Sequence, residues 1–101
     1  MIVISGILRV ATEDRDRAVG LVEPLVQASL AEEGCAAYGF WESPLESGLF
    51  RVFEEWASEE ALNVHFAAPH FVEFMGAMGS LKIEEMDLSR YEVSGKKPLF
   101  G

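Results

Sequence analysis

The chain has 101 residues, half of them apolar and a quarter charged, with 17 acidic against 8 basic side chains and a net charge of −9. That length holds one domain and one core, and that composition excludes an intrinsically disordered chain. The negative field has no Lys/Arg cluster to interrupt it and repels phosphate backbones and anionic lipid heads, so nucleic acid and membranes are excluded as partners.

Residues 2–10 (IVISGILRV) are β-branched and aliphatic and predict a strand. Ile2, Ile4, Leu8 and Val10 fall on one face, with Val3 and Ile7 on the other. Thr12 is the expected N-cap of a helix whose first turn carries Glu13 and Asp14. That helix runs to about Glu33 on a stripe of Ala18, Leu21, Val22, Leu25 and Ser29, and Gly34 supplies the left-handed stop. Pro24 removes the backbone bond to residue 20, which predicts a kink or local irregularity.

Residues 36–43 and 48–57 predict a hairpin joined through Pro44, Leu45, Glu46 and Ser47. Tyr38 and Phe40 share a face with Trp41 opposite, and Phe50, Val52, Glu54 and Trp56 alternate with Leu49, Arg51, Phe53 and Glu55. Ser58 caps a second helix, which Pro69 ends or bends. A third helical piece from His70 to Met78 carries Phe71, Phe74, Met75 and Met78 on one stripe. Residues 82–93 predict the last strand; Tyr91 and Val93 switch parity from Met86 and Leu88, so a bulge is expected near Ser89.

The order β-α-β-β-α-β predicts a single α+β domain over 1–101, ferredoxin-like, with a core at about 2–93, a tail at 94–101, and an antiparallel sheet with helices on one face. The other sheet face then carries large apolar groups. Two copies placed sheet to sheet would bury them, about 800 Å² per subunit at roughly 25 cal/mol per Å², so a homodimer through that face is expected. The lone Cys35 allows no internal disulfide, the first residues lack a basic leader region, and no apolar run reaches membrane length. A cytoplasmic location is therefore expected.

The stretch from Glu54 to Phe74 combines two histidines, a carboxylate sharing a strand face with Trp56, and several aromatics. A cleft between sheet and second helical region, apolar with few polar handles, suits a flat aromatic ligand. His65 and His70 lie five apart across a proline, whereas metal-binding helical pairs sit three or four apart, and no acidic or thiolate cluster accompanies them, so no metal site is expected. Each histidine also has an ordinary reading as a packed, hydrogen-bonded residue. For Glu54 the ordinary reading is capping backbone donors or pairing with Arg51 or His65. Trp56 and the Phe cluster read as core first and ligand wall second. No glycine-rich phosphate loop, nucleophile elbow or dinucleotide fingerprint is present, so no nucleotide cofactor is expected.

Glu33-Gly34-Cys35-x-x-Tyr38, then Glu54-x-Trp56, Ala61-Leu62-x-x-His65 and His70-Phe71, resemble in order and spacing the antibiotic biosynthesis monooxygenase domain over about residues 2 to 93. The resemblance implies a dimeric α+β barrel and a quinol monooxygenase-like activity, the cofactor-independent oxidation of quinol- or anthrone-like aromatics by dioxygen. On that reading His65 is the candidate for proton transfer or oxyanion contact. Trp56, Phe53, Phe66, Phe71 and Phe74 shape the wall, while His70, Glu54 and Tyr38 supply secondary polar contacts. The alternatives are a non-catalytic binding module for an apolar small molecule and, further off, haem binding or degradation. A related haem-degrading branch uses an Asn-Trp-His set, and the first strand here offers Ser5 and no asparagine.

Overall fold

Strict alternation sets the centre of the fold. In the computed structural model, which describes residues 1–101, strand β1 (Ile2–Val10) buries Ile2, Ile4, Leu8 and Val10 and leaves Val3 and Ile7 half-buried on its other side. Helix α1 (Arg15–Leu30), strands β2 (Cys35–Glu42) and β3 (Leu49–Trp56), helices α2 (Glu59–Ala67) and α3 (Pro69–Met78), and strand β4 (Ile83–Glu92) follow. The strands form one antiparallel sheet in the order β2-β3-β1-β4. This is the ferredoxin-like α+β arrangement. Side chains of even number face the helices, together with Cys35 and Ile83, which lie beyond the register shifts of β2 and β4; there Val52, Trp56 and Leu62 are almost completely enclosed. No helix is long and apolar enough to cross a membrane.

The cover is unequal, and that positions the site. Helix α1 packs on β2 and α3, and α2 packs on β3 and α3. Edge strand β4 receives little of this shelter: Met86 and Leu88 point to the helix side and are 52% and 43% exposed. The helix layer therefore falls short of its own face along β4, and a gap opens there.

Several local expectations change. Thr12–Asp14 form a short 3-10 turn, and α1 starts at Arg15 with Asp14 before it. The Asp14 carboxylate accepts from the Lys82 backbone N–H at 2.7 Å, tying the helix start to the approach of β4 instead of capping. The helix is not broken by Pro24, as expected; the carbonyl that loses its partner belongs to exposed Gly20 and can meet water. It ends at Leu30 rather than near Glu33, and Glu32 lies in the turn that follows, which closes at Gly34 with φ +85°. Ser58 caps α2 as expected, its hydroxyl accepting from the Ala61 N–H at 3.1 Å.

No bulge occurs at Ser89. The β1–β4 ladder runs continuously through Ser5 opposite Ser89, and the register shifts instead between Arg9 and Val10, which pair with Glu85 and Ile83. Tyr91 needs no bulge, because on an edge strand it simply takes the outer face. That outer face is mixed. Val3, Ile7, Phe53, Trp41 and Tyr91 share it with Arg9, Arg51, Glu55 and Asp87. Trp41 lies flat over Gly39, where a Cβ would sit 2.3 Å from the indole, so only glycine permits that pose.

Candidate active site

The gap beside β4 continues inward as a cavity of about 240 Å³ between the sheet and helices α2 and α3. Twelve of its fifteen lining residues are hydrophobic, and the other three are Glu54, Ser89 and Arg90. It lies just below the ~300–1,000 Å³ usual for small-molecule sites. Phe66 from α2 and Phe71 and Phe74 from α3 form the helical wall, while Met86 and Leu88 of β4 form the mouth.

Sheet register sets the polar groups in a row. Tyr38 on β2 stands opposite Glu54 on β3, Glu54 opposite Ile4 on β1, and Ile4 opposite Arg90 on β4. With strands about 4.8 Å apart, an apolar Ile4 floor separates the Glu54 carboxylate from the Arg90 guanidinium. Glu54 is only 7% exposed and is the one carboxylate in the cavity wall. Its Oε1 accepts the Trp56 indole N–H at 2.9 Å. It neither caps backbone donors nor pairs with Arg51 or His65. Burial pushes its pKa up from 4.5 to about 7, against the opposing pull of the Trp56 bond and with help from the charge of Glu32. The neighbouring Tyr38 phenol is held above its ordinary range, first by burial and then by Glu54, so it stays a neutral hydroxyl. Arg90 sits at the mouth and bonds Glu59 at 3.3 Å.

A second polar group lies behind this wall. His65 is fully buried, with its ring 4.6 Å from that of Trp56, 4.9 Å from Phe71 and 5.2 Å from Tyr38. Its Nδ1–H donates to Glu32 Oε2 at 2.6 Å, and His70 Nε2–H donates to the same oxygen at 2.8 Å. Burial holds the His65 pKa below its ordinary value, although the Glu32 bond and charge act the other way. Cys35 offers no activated thiol, because burial raises its pKa to about 11.

The antibiotic biosynthesis monooxygenase family model matches residues 1–77 of this sequence. The chain belongs to that family. It is 34% identical over 94 residues to the Bacillus subtilis (strain 168) protein named "Putative monooxygenase YcnE", covering 93% of this chain and 99% of that one. A solved Deinococcus radiodurans structure, described as a "putative antibiotic biosynthesis monooxygenase", is similar at a TM-score of 0.90 and 25% identity over 100% of both chains. A Bacteroides thetaiotaomicron conserved protein is similar at a TM-score of 0.82 and 33% identity, covering 91% of this chain and 96% of that one.

Against this family frame, the residues singled out from sequence divide into three groups. Tyr38, Glu54, Phe66, Phe71 and Phe74 line one cavity. Trp56 and His65 stand behind it, Trp56 reaching it only through its bond to Glu54. His70 borders a separate groove between α1 and α3, and Phe53 points to the outer sheet face, paired with Gly39 and Ser5. Phe53 has odd parity on a strand whose even residues face the helices, so the resemblance-based wall assignment and the strand alternation conflicted, and alternation decided it. The residues missed are Glu32 and Arg90. Glu32 stands one position ahead of the quoted Glu33-Gly34-Cys35 motif, and Arg90 shares parity with Met86 and Leu88 once no bulge intervenes.

Proposed function

We propose that this domain oxidises a small quinol- or anthrone-like aromatic with dioxygen, without a bound cofactor, and that Glu54 is the general base. The observation that carries this reading is a single buried carboxylate, with its pKa lifted to about 7, in an otherwise apolar cavity of aromatic-ring size. Glu54 takes the proton from the acidic O–H or C–H of the substrate, leaving an electron-rich anion that the apolar walls keep from bulk water. That anion passes one electron to dioxygen, and the resulting radical pair combines to a carbon-bound peroxide. The peroxide takes up a proton, and loss of water leaves a carbonyl. Overall a CH₂ or phenol-activated C–H becomes C=O, with one oxygen atom in the product and the other in water. Arg90, across the Ile4 floor, offers a cation toward the developing negative charge, and Tyr38 a neutral phenol.

Oxygen uptake with reduced naphthoquinols and anthrones tests the reading. The expected result is one dioxygen consumed per oxygen atom inserted into product, with no hydrogen peroxide released, well above the rate without protein. Ligand-dependent thermal stabilisation with no uptake over a diverse panel would make this a binding module instead.

The same proposal includes a homodimer through the outer sheet face. Phe53 and Trp41 supply its apolar area, and Arg51 and Asp87, which flank Ile7 in the register, have no ion-pair partner within the chain and offer complementary charges across a two-fold axis. We expect sedimentation at twice the chain mass at micromolar concentration. Phe53→Asp combined with Trp41→Glu should shift this to a single chain, since it leaves an uncompensated charge at the centre of the contact. A wild-type chain that sediments alone would remove the dimer from the proposal.

A further inference from the structure

The three residues that meet behind the cavity come from three separate segments: Glu32 from the turn after α1, His65 from α2 and His70 from α3. Their donor atoms all lie within 4.8 Å of one another. Both imidazole nitrogens aim at the same carboxylate oxygen, at 2.6 and 2.8 Å. No lysine or arginine pairs with Glu32, whose side chain is only 11% exposed. Its other oxygen, Oε1, is buried with no hydrogen-bond partner, and so is His65 Nε2. A nearly enclosed carboxylate with one orphaned oxygen and no permanent cation beside it is costly in a folded chain.

We propose that Glu32, His65 and His70 bind one divalent transition-metal ion of the zinc class. One carboxylate oxygen and two imidazole nitrogens form a three-ligand set typical of such ions, and imidazole ligation disfavours Mg²⁺ and Ca²⁺. Coordination replaces the two N–H···O bonds. His65 binds through Nδ1 and His70 through Nε2, so each neutral ring must move its one proton from the ligating nitrogen, where it now bonds Glu32, to the other ring nitrogen. The ligand atoms must settle at about 2.0–2.2 Å from the ion, so the carboxylate and the two imidazoles must spread from their present contact to admit it. His70 is a quarter exposed and borders the groove between α1 and α3 with Pro24 and Glu73, which gives the ion its entrance. The ion staples the end of α1 to the α2–α3 junction. This site is distinct from the oxidation cavity and does not depend on the function proposed for that cavity.

The test uses the full chain without an affinity tag, stripped with EDTA, titrated with Zn²⁺ by calorimetry and with Co²⁺ by visible absorption. The expected result is one ion per chain at micromolar affinity, a cobalt spectrum of nitrogen–oxygen ligation, and a rise in melting temperature on zinc addition. Glu32→Gln and His70→Ala, each first shown folded by circular dichroism, should weaken zinc binding at least tenfold, and millimolar Mg²⁺ should not compete. Absence of binding at 100 µM Zn²⁺ would overturn the proposal. So would unchanged affinity in both variants, or displacement by Mg²⁺, either of which would assign the ion to surface carboxylates.

Discussion

Glu54→Gln is expected to make the protein more stable at pH 8 and nearly inactive. The sign follows from burial. The folded-state pKa of Glu54 is raised from 4.5 to about 7, so between those values the native chain binds a proton that the unfolded chain has released. Stability attributable to this group is therefore complete below about pH 4.5, falls as pH rises toward 7, and remains lower above it. A shift of that size corresponds to a penalty of about 3 kcal/mol at pH 8. Glutamine removes the charge and keeps an amide oxygen in place to accept the Trp56 indole N–H. The gain should be about 1–3 kcal/mol at pH 8 and vanish at pH 4, as read by urea denaturation at the two pH values. The same change deletes the proposed base, and oxidation should fall by roughly 10²- to 10⁴-fold. In the unsubstituted protein kcat/KM should climb through a single ionisation near pH 7 to a plateau. If Glu54→Gln retains full turnover, proton removal belongs elsewhere.

This opposition between stability and activity explains how an apolar cavity can keep a carboxylate. A residue chosen for packing alone at position 54 would be aliphatic, like Val52 beside it on the same face. The indole of Trp56 holds Glu54 through one oxygen, which leaves the other for the cavity. The aromatic stack of Trp56, His65 and Phe71 in turn holds the indole. The proposed base is thus positioned by a rigid core, while the cavity opens on the side where edge strand β4 lacks cover.

The fold was legible in the sequence because each strand declares its faces by parity and each helix by a stripe. Alternation alone assigns Phe50, Val52, Glu54 and Trp56 to one face, and the β-α-β-β-α-β succession carries the ferredoxin-like class. Helix ends were less legible. Thr12 reads as the cap, yet neither it nor Asp14 caps by its side chain, and only the long-range bond from the Lys82 N–H to Asp14 fixes where α1 begins. Within the site, Tyr38, Glu54, Phe66, Phe71 and Phe74 could be gathered from proximity in sequence and strand parity. What could not be read was depth. Whether a helical histidine opens to the cavity or backs away from it depends on the rotation of α2, and that rotation is fixed by Glu32, 33 residues earlier in the chain. The charge of Arg90 was hidden for a related reason, since its face depended on whether β4 carried a bulge.

His65→Ala is the complementary experiment, with the opposite expected signature: a large loss of stability and little loss of turnover. The imidazole is completely enclosed among Trp56, Phe71 and Tyr38, and its Nδ1–H bonds the largely buried carboxylate of Glu32. Truncation leaves a cavity and strips Glu32 of its shorter bond, for a combined cost of about 3–5 kcal/mol. In a domain of this size that lowers the melting temperature by roughly 15 °C or more, measurable by circular dichroism. His65→Asn, whose amide N–H can reach Glu32 from nearly the position of Nδ1, should recover about 1 kcal/mol of the loss. At a temperature where each variant is fully folded, kcat should stay within about threefold of the parent, because His65 does not line the oxidation cavity, while KM rises as Phe66 and Phe71 lose their backing. Loss of kcat by two orders of magnitude in a fully folded His65→Ala chain would return the proton-transfer role to the histidine and displace Glu54. A stable, inactive Glu54→Gln and an unstable, active His65→Ala together would separate the group that performs the chemistry from the group that holds the wall.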